Sequence, residues 1–431
     1  MPNLTIATII LIGSFIIFIA LRFPIAYSLG ISSVMTVIYL GMPPEMVAQN
    51  TVKGINAFSL MAVPFFIISG ELMSCGGIAK RLVKLADAMV GWMSGGLAIV
   101  NIVASMFFGG ISGSSAADTA SLGPILIPMM NKKGYDNEFS TGITCASSVQ
   151  GMLIPPSHNM VIYAMVAGSV SVGALFLAGM VPGIILGIFL VIYSLIVAKK
   201  RKYPKGDRFE LSNVFKAFKE AIFGLITVLI VVVGVIGGLF TATEAAGLSV
   251  VWAFFVTFFI YREIPLKEFW NILGRALRTI SMVMIIIGTS SAFGWLLAYL
   301  KVPEMVAGGI LGMTQNKILV LLIINIILLG FGMFMDMAAI ITITTPILLP
   351  IAMQMGMDPV HYGAMMVLNL GIGVLTPPVG NTLFIGSAIS GLKIERLAKS
   401  MIPMYVVMGL VLLLITFVPQ VVMTLPHILM K

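Results

Sequence analysis

Runs of about 20 apolar residues recur from one end of this chain to the other, and each can cross a hydrocarbon layer roughly 30 Å thick. That feature decides the fold class. A soluble protein must present a polar face to water. A chain of 431 residues that is 59% hydrophobic and 10% charged has too little polar surface to cover itself. The runs are continuous and not alternating, which excludes a β-barrel. The expectation is an all-α polytopic membrane protein.

Spans are expected at about 4–22, 24–41, 58–76, 137–168 (broken), 172–198, 216–240, 243–261, 279–299, 360–390 (broken) and 400–425. Two further stretches, about 94–130 and 318–352, carry Gly-rich polar centres and are read as re-entrant hairpins. The N-terminal run has no basic n-region and no small-residue cleavage site, so it reads as a first span. Cys75 and Cys145 lie in or beside apolar segments and suggest neither a disulfide framework nor a metal site. The net charge of +9 does not point to nucleic acid, because the basic residues sit in connections between spans. The longest polar connection, "AKKRKYPKGDRFE" at 198–210, is taken as cytoplasmic. Counting crossings outward puts Arg22, Lys80, Arg81, Lys84, Lys132 and Lys133 on the same side. So too are Arg262, Lys267, Arg275, Arg278, Lys393, Arg396 and Lys399. The opposite connections, among them 42–56 and 301–317, hold only Lys53, Lys301 and Lys317.

The chain also repeats itself. "GPILIPMMNKKGYDNEF…GMLIPPSHN" at 123–159 matches "TPILLPIAMQMGMDPVH…GVLTPPVGN" at 345–381, with Pro124/Pro346, Pro128/Pro350, Pro155/Pro377 and Asn159/Asn381 all 222 positions apart. Five spans per repeat is an odd number, so the halves, 1–210 and 211–431, are expected to be inverted relative to each other. Inverted repeats with paired broken helices mark secondary transporters, whose sites lie where the breaks meet. Two segments, 78–89 and 265–278, are amphipathic; they read as helices lying flat at headgroup level or as simple loop helices.

The hairpin centre "GGISGSSAAD" combines glycines with uncharged hydroxyls. In hydrocarbon, irregular backbone survives only inside protein or against a wet cavity, and such a tip offers the neutral oxygens that suit a monovalent cation such as Na⁺. Pro155 and Pro156 remove N–H donors and free the carbonyls of the preceding turn. The helix end before the break attracts a cation, and the restart after it suits an anion. Candidate Na⁺ ligands are therefore Ser112, Gly113, Ser114, Ser115, Gly151 and Pro155 in the first half, and Gly332, Asp336, Gly373 and Thr376 in the second. Candidate substrate contacts are Ser157, His158, Asn159, Gly380, Asn381 and Thr382. Asp118 and Asp336 are either intramembrane functional carboxylates or helix caps; Glu71 is either a bundle group or an interface residue. His158 either reads substrate or is a buried, satisfied histidine. Glu244 reads as the acid of a capping box begun by Thr241. No organic cofactor and no transition metal is expected. An ion channel, an intramembrane serine hydrolase and a non-transporting scaffold subunit are the rival classes.

"VPFFIISGELM", "GGLAIVNIVASMFFGGISGSSAADTASLGPILIPMM", "IPPSHNMVIYA", "LFTATEAAG" and "GVLTPPVGNTLF" closely resemble the large membrane subunit of TRAP (tripartite ATP-independent periplasmic) transporters, over nearly the whole chain. The resemblance implies a non-enzymatic bacterial inner-membrane permease, driven by Na⁺, that moves small organic anions inward. Sialic acid is the leading substrate and a C4-dicarboxylate the alternative. It implies two partners: a periplasmic substrate-binding protein and a small four-helix membrane subunit, expected as a separate chain. It also implies an elevator, with a transport domain at about 94–198 and 318–425 and a scaffold at about 1–56 and 211–278.

Overall fold

The computed structural model describes residues 3–168, 170–206 and 208–430. Its regular structure is helical; among these residues the only β feature is an isolated bridge between Ser94 and Lys205. Among the described residues, six helices are long and apolar enough to cross a membrane alone, including Val172–Arg201, Leu211–Ile236 and Met337–Gln354. The remaining apolar stretches are built from shorter helices, including Leu4–Ala20, Ile25–Tyr39, Gly96–Ser112 and Lys317–Gly332. Large aliphatic side chains such as Ile9, Ile16 and Ile38 are more than half exposed on the first two helices, a surface suited to lipid and not to water.

The two stretches read as hairpins each form a helix–tip–helix unit: Gly96–Ser112 with Ser115–Lys132, and Lys317–Gly332 with Met337–Gln354. The second arms are each 18 residues long, start 222 positions apart, and carry prolines at matching places, Pro124 and Pro128 against Pro346 and Pro350. The expected breaks are also present. Asn137–Ser148 and Gln150–Leu153 stop before Pro155, and His158–Ala167 restarts. Pro359–Gly373 stops before Pro377, and Asn381–Ser390 restarts. The Pro155–Pro156 and Pro377–Pro378 peptides are both cis. The second hairpin, the breaks, Val172–Arg201 and the C-terminal helices share the largest core; most of the first hairpin packs with Ile78–Val90 around a second, and Leu4–Ala20, Ile25–Tyr39 and the C-terminal part of Phe269–Tyr299 pack around a third.

Several expectations need correction. The connections 42–56 and 301–317 are not loops: they contain helices Glu45–Ile55 and Val302–Met313. The first of these packs tightly on Phe269–Tyr299, with Gly54 so close to Ser291 that an added Cβ would sit 2.3 Å from the serine Cβ. Segment 265–278 is no separate flat helix. After a short turn it runs straight into a 31-residue helix, Phe269–Tyr299, because no glycine–proline break interrupts it. Segment 78–89 is helical, Ile78–Val90, but its apolar face (Ile78, Leu82, Leu85) is buried in protein and not free at a headgroup layer. The stretch 400–425 is two helices, Ile402–Phe417 and Pro419–Leu429, since Pro419 cannot donate to the preceding turn.

Candidate functional site

The hairpin tips meet the proline breaks, and glycine permits the approach. An added Cβ at Gly109 would lie 2.2 Å from Gly151 Cα, and one at Gly373 would lie 2.6 Å from Gly332 Cα. Helix axes touch there backbone to backbone in both halves, which only residues without Cβ allow. Gly113 ends the first hairpin arm in the left-handed region at φ 62°, and its α-carbon faces the Pro156 carbonyl, 2.7 Å from where a Cβ would stand. In the second half, the Val379 N–H donates to the Met333 carbonyl at 3.1 Å, tying break to tip.

In the first half, serines cap the helix starts at the tip and at the break. Ser114 accepts from the Ala117 N–H and Ser157 from the Met160 N–H, both at 3.4 Å. Gly380, at φ 52°, opens Asn381–Ser390. Thr376 donates to the Ile372 carbonyl at 2.8 Å.

Hydroxyls join the two halves. Ser115 lies 2.6 Å from the Ser148 oxygen and 2.9 Å from the Thr382 oxygen, so a candidate cation ligand of the first half touches a candidate substrate contact of the second. Ser148 was not anticipated. Nor was the network beneath it. Ser105 donates to Asp118 at 3.1 Å and sits 3.0 Å from Ser147, while Asn101 donates to Thr144 at 2.7 Å. The second half has a counterpart in Asn369, which donates to the Asn325 side chain at 2.8 Å. Asn101 and Asn325 stand alone as amides in apolar runs, and that was the available signal.

The two aspartates separate. Asp336 is the N-cap of Met337–Gln354, accepting from the Ala338 N–H at 2.9 Å. Asp118 caps nothing; it is fully buried, and its second oxygen has no partner among the described residues. His158 Nδ1 is likewise buried without a partner, beside Gly113, and Gln150 Oε1 is a third such atom. With Thr119 Oγ1, four orphaned buried polar atoms flank the first tip and break, which is the setting a small polar or ionic ligand fits. The two tips differ in access. Ser157 and Asn159 are buried, while Phe334, Val379 and Asn381 are exposed.

Several charges away from the tips are paired. Glu71 meets Arg275 at 3.6 Å, and Glu244 completes the capping box with Thr241. On the side holding 198–210, the Tyr203 hydroxyl donates to Asp136 at 2.6 Å and Arg201 pairs with the same carboxylate. The tyrosine hydrogen bond, then the arginine, holds Asp136 below the usual carboxylate range.

A multi-span helical bundle with a twice-repeated hairpin and proline break, and with polar groups gathered where they meet, is the architecture of a membrane transporter. Residues 12–421 match the family model for the "Tripartite ATP-independent periplasmic transporter, DctM component", and the chain belongs to that family as a large, non-catalytic permease for a small organic anion. It is 40% identical over 422 residues to the uncharacterized protein YgiK of Salmonella typhimurium, covering 97% of each. It is 41% identical over 418 residues to the isethionate TRAP transporter permease DctMQ of Oleidesulfovibrio alaskensis, covering 96% of this chain and 65% of that one. The sialic acid TRAP transporter large permease SiaM of Vibrio cholerae is 38% identical, with 97% and 95% covered. Among solved structures, the Alcanivorax borkumensis YdaH transporter superposes with a TM-score of 0.62 at 11% identity, covering 88% of each chain; that likeness is one of fold.

Proposed function

We propose that this permease carries a small carboxylate or sulfonate inward with Na⁺, receiving it from a periplasmic binding protein and working beside a small four-helix subunit. The observation that carries the reading is the Ser115–Thr382 contact, where a hairpin tip of one half touches the half-helix start after the break of the other. Inverted halves would bring tip and break together mid-bilayer in this way. Carbonyls ahead of each break and the tip hydroxyls Ser112 and Ser114 would face the cation. The N–H groups opening His158–Ala167 and Asn381–Ser390, with Asn159, Asn381 and Thr382, would face the anion. The unequal burial of the two tips suits alternating access, with hairpins and breaks sliding as one body against the flanking spans. Loop 198–210 then lies in the cytoplasm. Each Na⁺ crossing 100 mV contributes about 2.3 kcal/mol, so two ions would support useful accumulation. N-acetylneuraminate is the first candidate substrate and a C4-dicarboxylate the second, and relatives named for sialic acid, C4-dicarboxylates and isethionate all transport acids of this kind.

The test is uptake of labelled acids into proteoliposomes holding both membrane subunits, with the binding protein outside and the Na⁺ gradient varied. Accumulation should need both the gradient and the binding protein. Uptake indifferent to an imposed Na⁺ gradient would refute the coupling.

A further inference from the structure

The connection between the two halves is strapped down. The Gly95 N–H donates to the Pro204 carbonyl at 3.2 Å, Ser94 bridges Lys205, and an added Cβ at Gly206 would lie 2.2 Å from the Gly91 carbonyl oxygen. Under this strap is a cavity of about 480 Å³ that the transport reading does not use. Lys84, Lys133, Lys205, Arg208 and Lys216 line it, against the carboxylates Asp87, Glu210 and Glu220. Lys84 is held by Glu220 at 3.2 Å, and Glu210 accepts from Asn213 at 2.9 Å. Lys133, Lys205, Arg208 and Lys216 are exposed. Asp207 lies outside the described residues.

The floor is apolar, formed by Ala88, Leu97, Met129 and Ala217. At the rim, the rings of Trp92 and Phe209 meet edge to face at 6.3 Å, each about half exposed, and Phe215 beyond them is 68% exposed. Aromatic residues at this density beside lysines mark the level of a membrane interface. Basic pockets between helices at that level select phospholipid headgroups.

We propose that this cavity binds the phosphate of an anionic phospholipid, with the acyl chains leaving over the Trp92–Phe209 rim. A soluble phosphate ester would satisfy the cations but leave the aromatic rim without a partner. The placement in the inner leaflet rests on the orientation proposed above; the binding itself does not. The cavity touches helix Ile78–Val90, the base of the first hairpin (Leu97, Met129, Lys133) and the first turns of Leu211–Ile236. A lipid there would tie the base of that hairpin to the start of the second half.

The experiment uses the assembled permease in detergent, with retained phosphatidylglycerol and phosphatidylcholine counted by native mass spectrometry and thermal stability measured with each. The unchanged protein should keep phosphatidylglycerol and gain stability from it. The triple variant Lys205→Gln/Arg208→Gln/Lys216→Gln should lose about fivefold in affinity per cation removed. Trp92→Ala, which leaves every cation in place, should weaken retention severalfold. Lys393→Gln/Lys399→Gln, outside the cavity, should bind as before. Unchanged phosphatidylglycerol retention in the triple variant would overturn the proposal. So would equal stabilisation by free glycerol 3-phosphate, which would make the ligand a soluble ester. These readouts need no transport, so they stand or fall apart from the coupling assay.

Discussion

Gly109→Ala tests the backbone contact on which the whole site rests. The new methyl would stand 2.2 Å from Gly151 Cα and 2.9 Å from its nitrogen, and neither atom belongs to a movable side chain. An ordinary carbon–carbon contact is about 3.5–4.0 Å, so the hairpin arm must back away from the break by more than an ångström. Overpacking of this kind costs typically ~1–3 kcal/mol, and rigid backbone on both sides argues for the upper end. Gly332→Ala is milder, since its methyl would meet Gly373 Cα at 2.9 Å. Gly330→Ala, two residues earlier on the same helix, meets nothing within 4 Å. There alanine should stabilise by about 0.5–1 kcal/mol through helix propensity alone. The expected order of stability is therefore Gly330→Ala above the unchanged protein, then Gly332→Ala, then Gly109→Ala. Reversible unfolding in detergent gives that order, and proteoliposome uptake should fall in parallel for Gly109→Ala. A Gly109→Ala protein as stable and active as Gly330→Ala would show that tip and break are not in backbone contact.

In a double-mutant cycle of Ser115→Ala and Thr382→Ala, the coupling energy should be about 1 kcal/mol; additive effects would mean the halves do not meet there. Asp336→Asn keeps an N-cap and removes a charge, whereas Asp336→Ala should lose about 1 kcal/mol of stability; a cation-dependence defect in the asparagine variant would show that Asp336 does more than cap. Asp118→Asn preserves the acceptor for Ser105 and removes the ionisable carboxyl, and should abolish cation-stimulated uptake if that unpaired oxygen faces the ion. Asp136 has a folded pKa below its unfolded one, so its contribution is present above the unfolded value near 3.9 and is lost as pH falls through the folded value. In a pH titration of stability, Asp136→Asn should therefore converge with the unchanged protein only below about pH 4. Solvent around the half-exposed carboxylate keeps the difference below about 1 kcal/mol.

The helix–tip–helix units and the breaks were legible because they rest on residues whose effect is local: prolines that cannot donate, glycines that admit contact, and a 222-residue offset that no single element could imitate. Packing decisions were not legible. Whether 265–278 lies flat or continues into the next span depends on the absence of a breaker at 279, not on its amphipathic face. The burial of Ile78 and Leu82 depends on the next helix, Gly96–Ser112, and on Leu211–Ile236, far away in sequence. Asp118 and Asp336 looked alike as lone acids near a tip. They differ by four residues of register within their repeats: Asp336 occupies the place of Ser114, the cap, and Asp118 falls one turn further in.

That register difference bears on what the two halves share. At the 222 offset, Ser115 becomes Met337, Asp118 becomes Ile340, Ser148 becomes Leu370, Ser157 becomes Val379 and His158 becomes Gly380. The backbone events recur, with the helix stop, the cis prolyl-prolyl peptide and the restart all in place, yet the side-chain polarity does not. A ligand set common to both halves is therefore drawn from main-chain carbonyls and N–H groups and from the few positions polar in both, Ser114/Asp336, Ser147/Asn369 and Asn159/Asn381. Much of the side-chain discrimination would come from the first half and from Thr382, where the second half touches Ser115. If both halves hold the same ion, main-chain carbonyls supply the ligands they share, and the hydroxyls of Ser112 and Ser114, which become Phe334 and Asp336, are added in the first half alone. Substitutions at Ser112 or Ser114 should then impair one site while leaving the other able to bind, which a count of bound ions per permease would read as one in place of two.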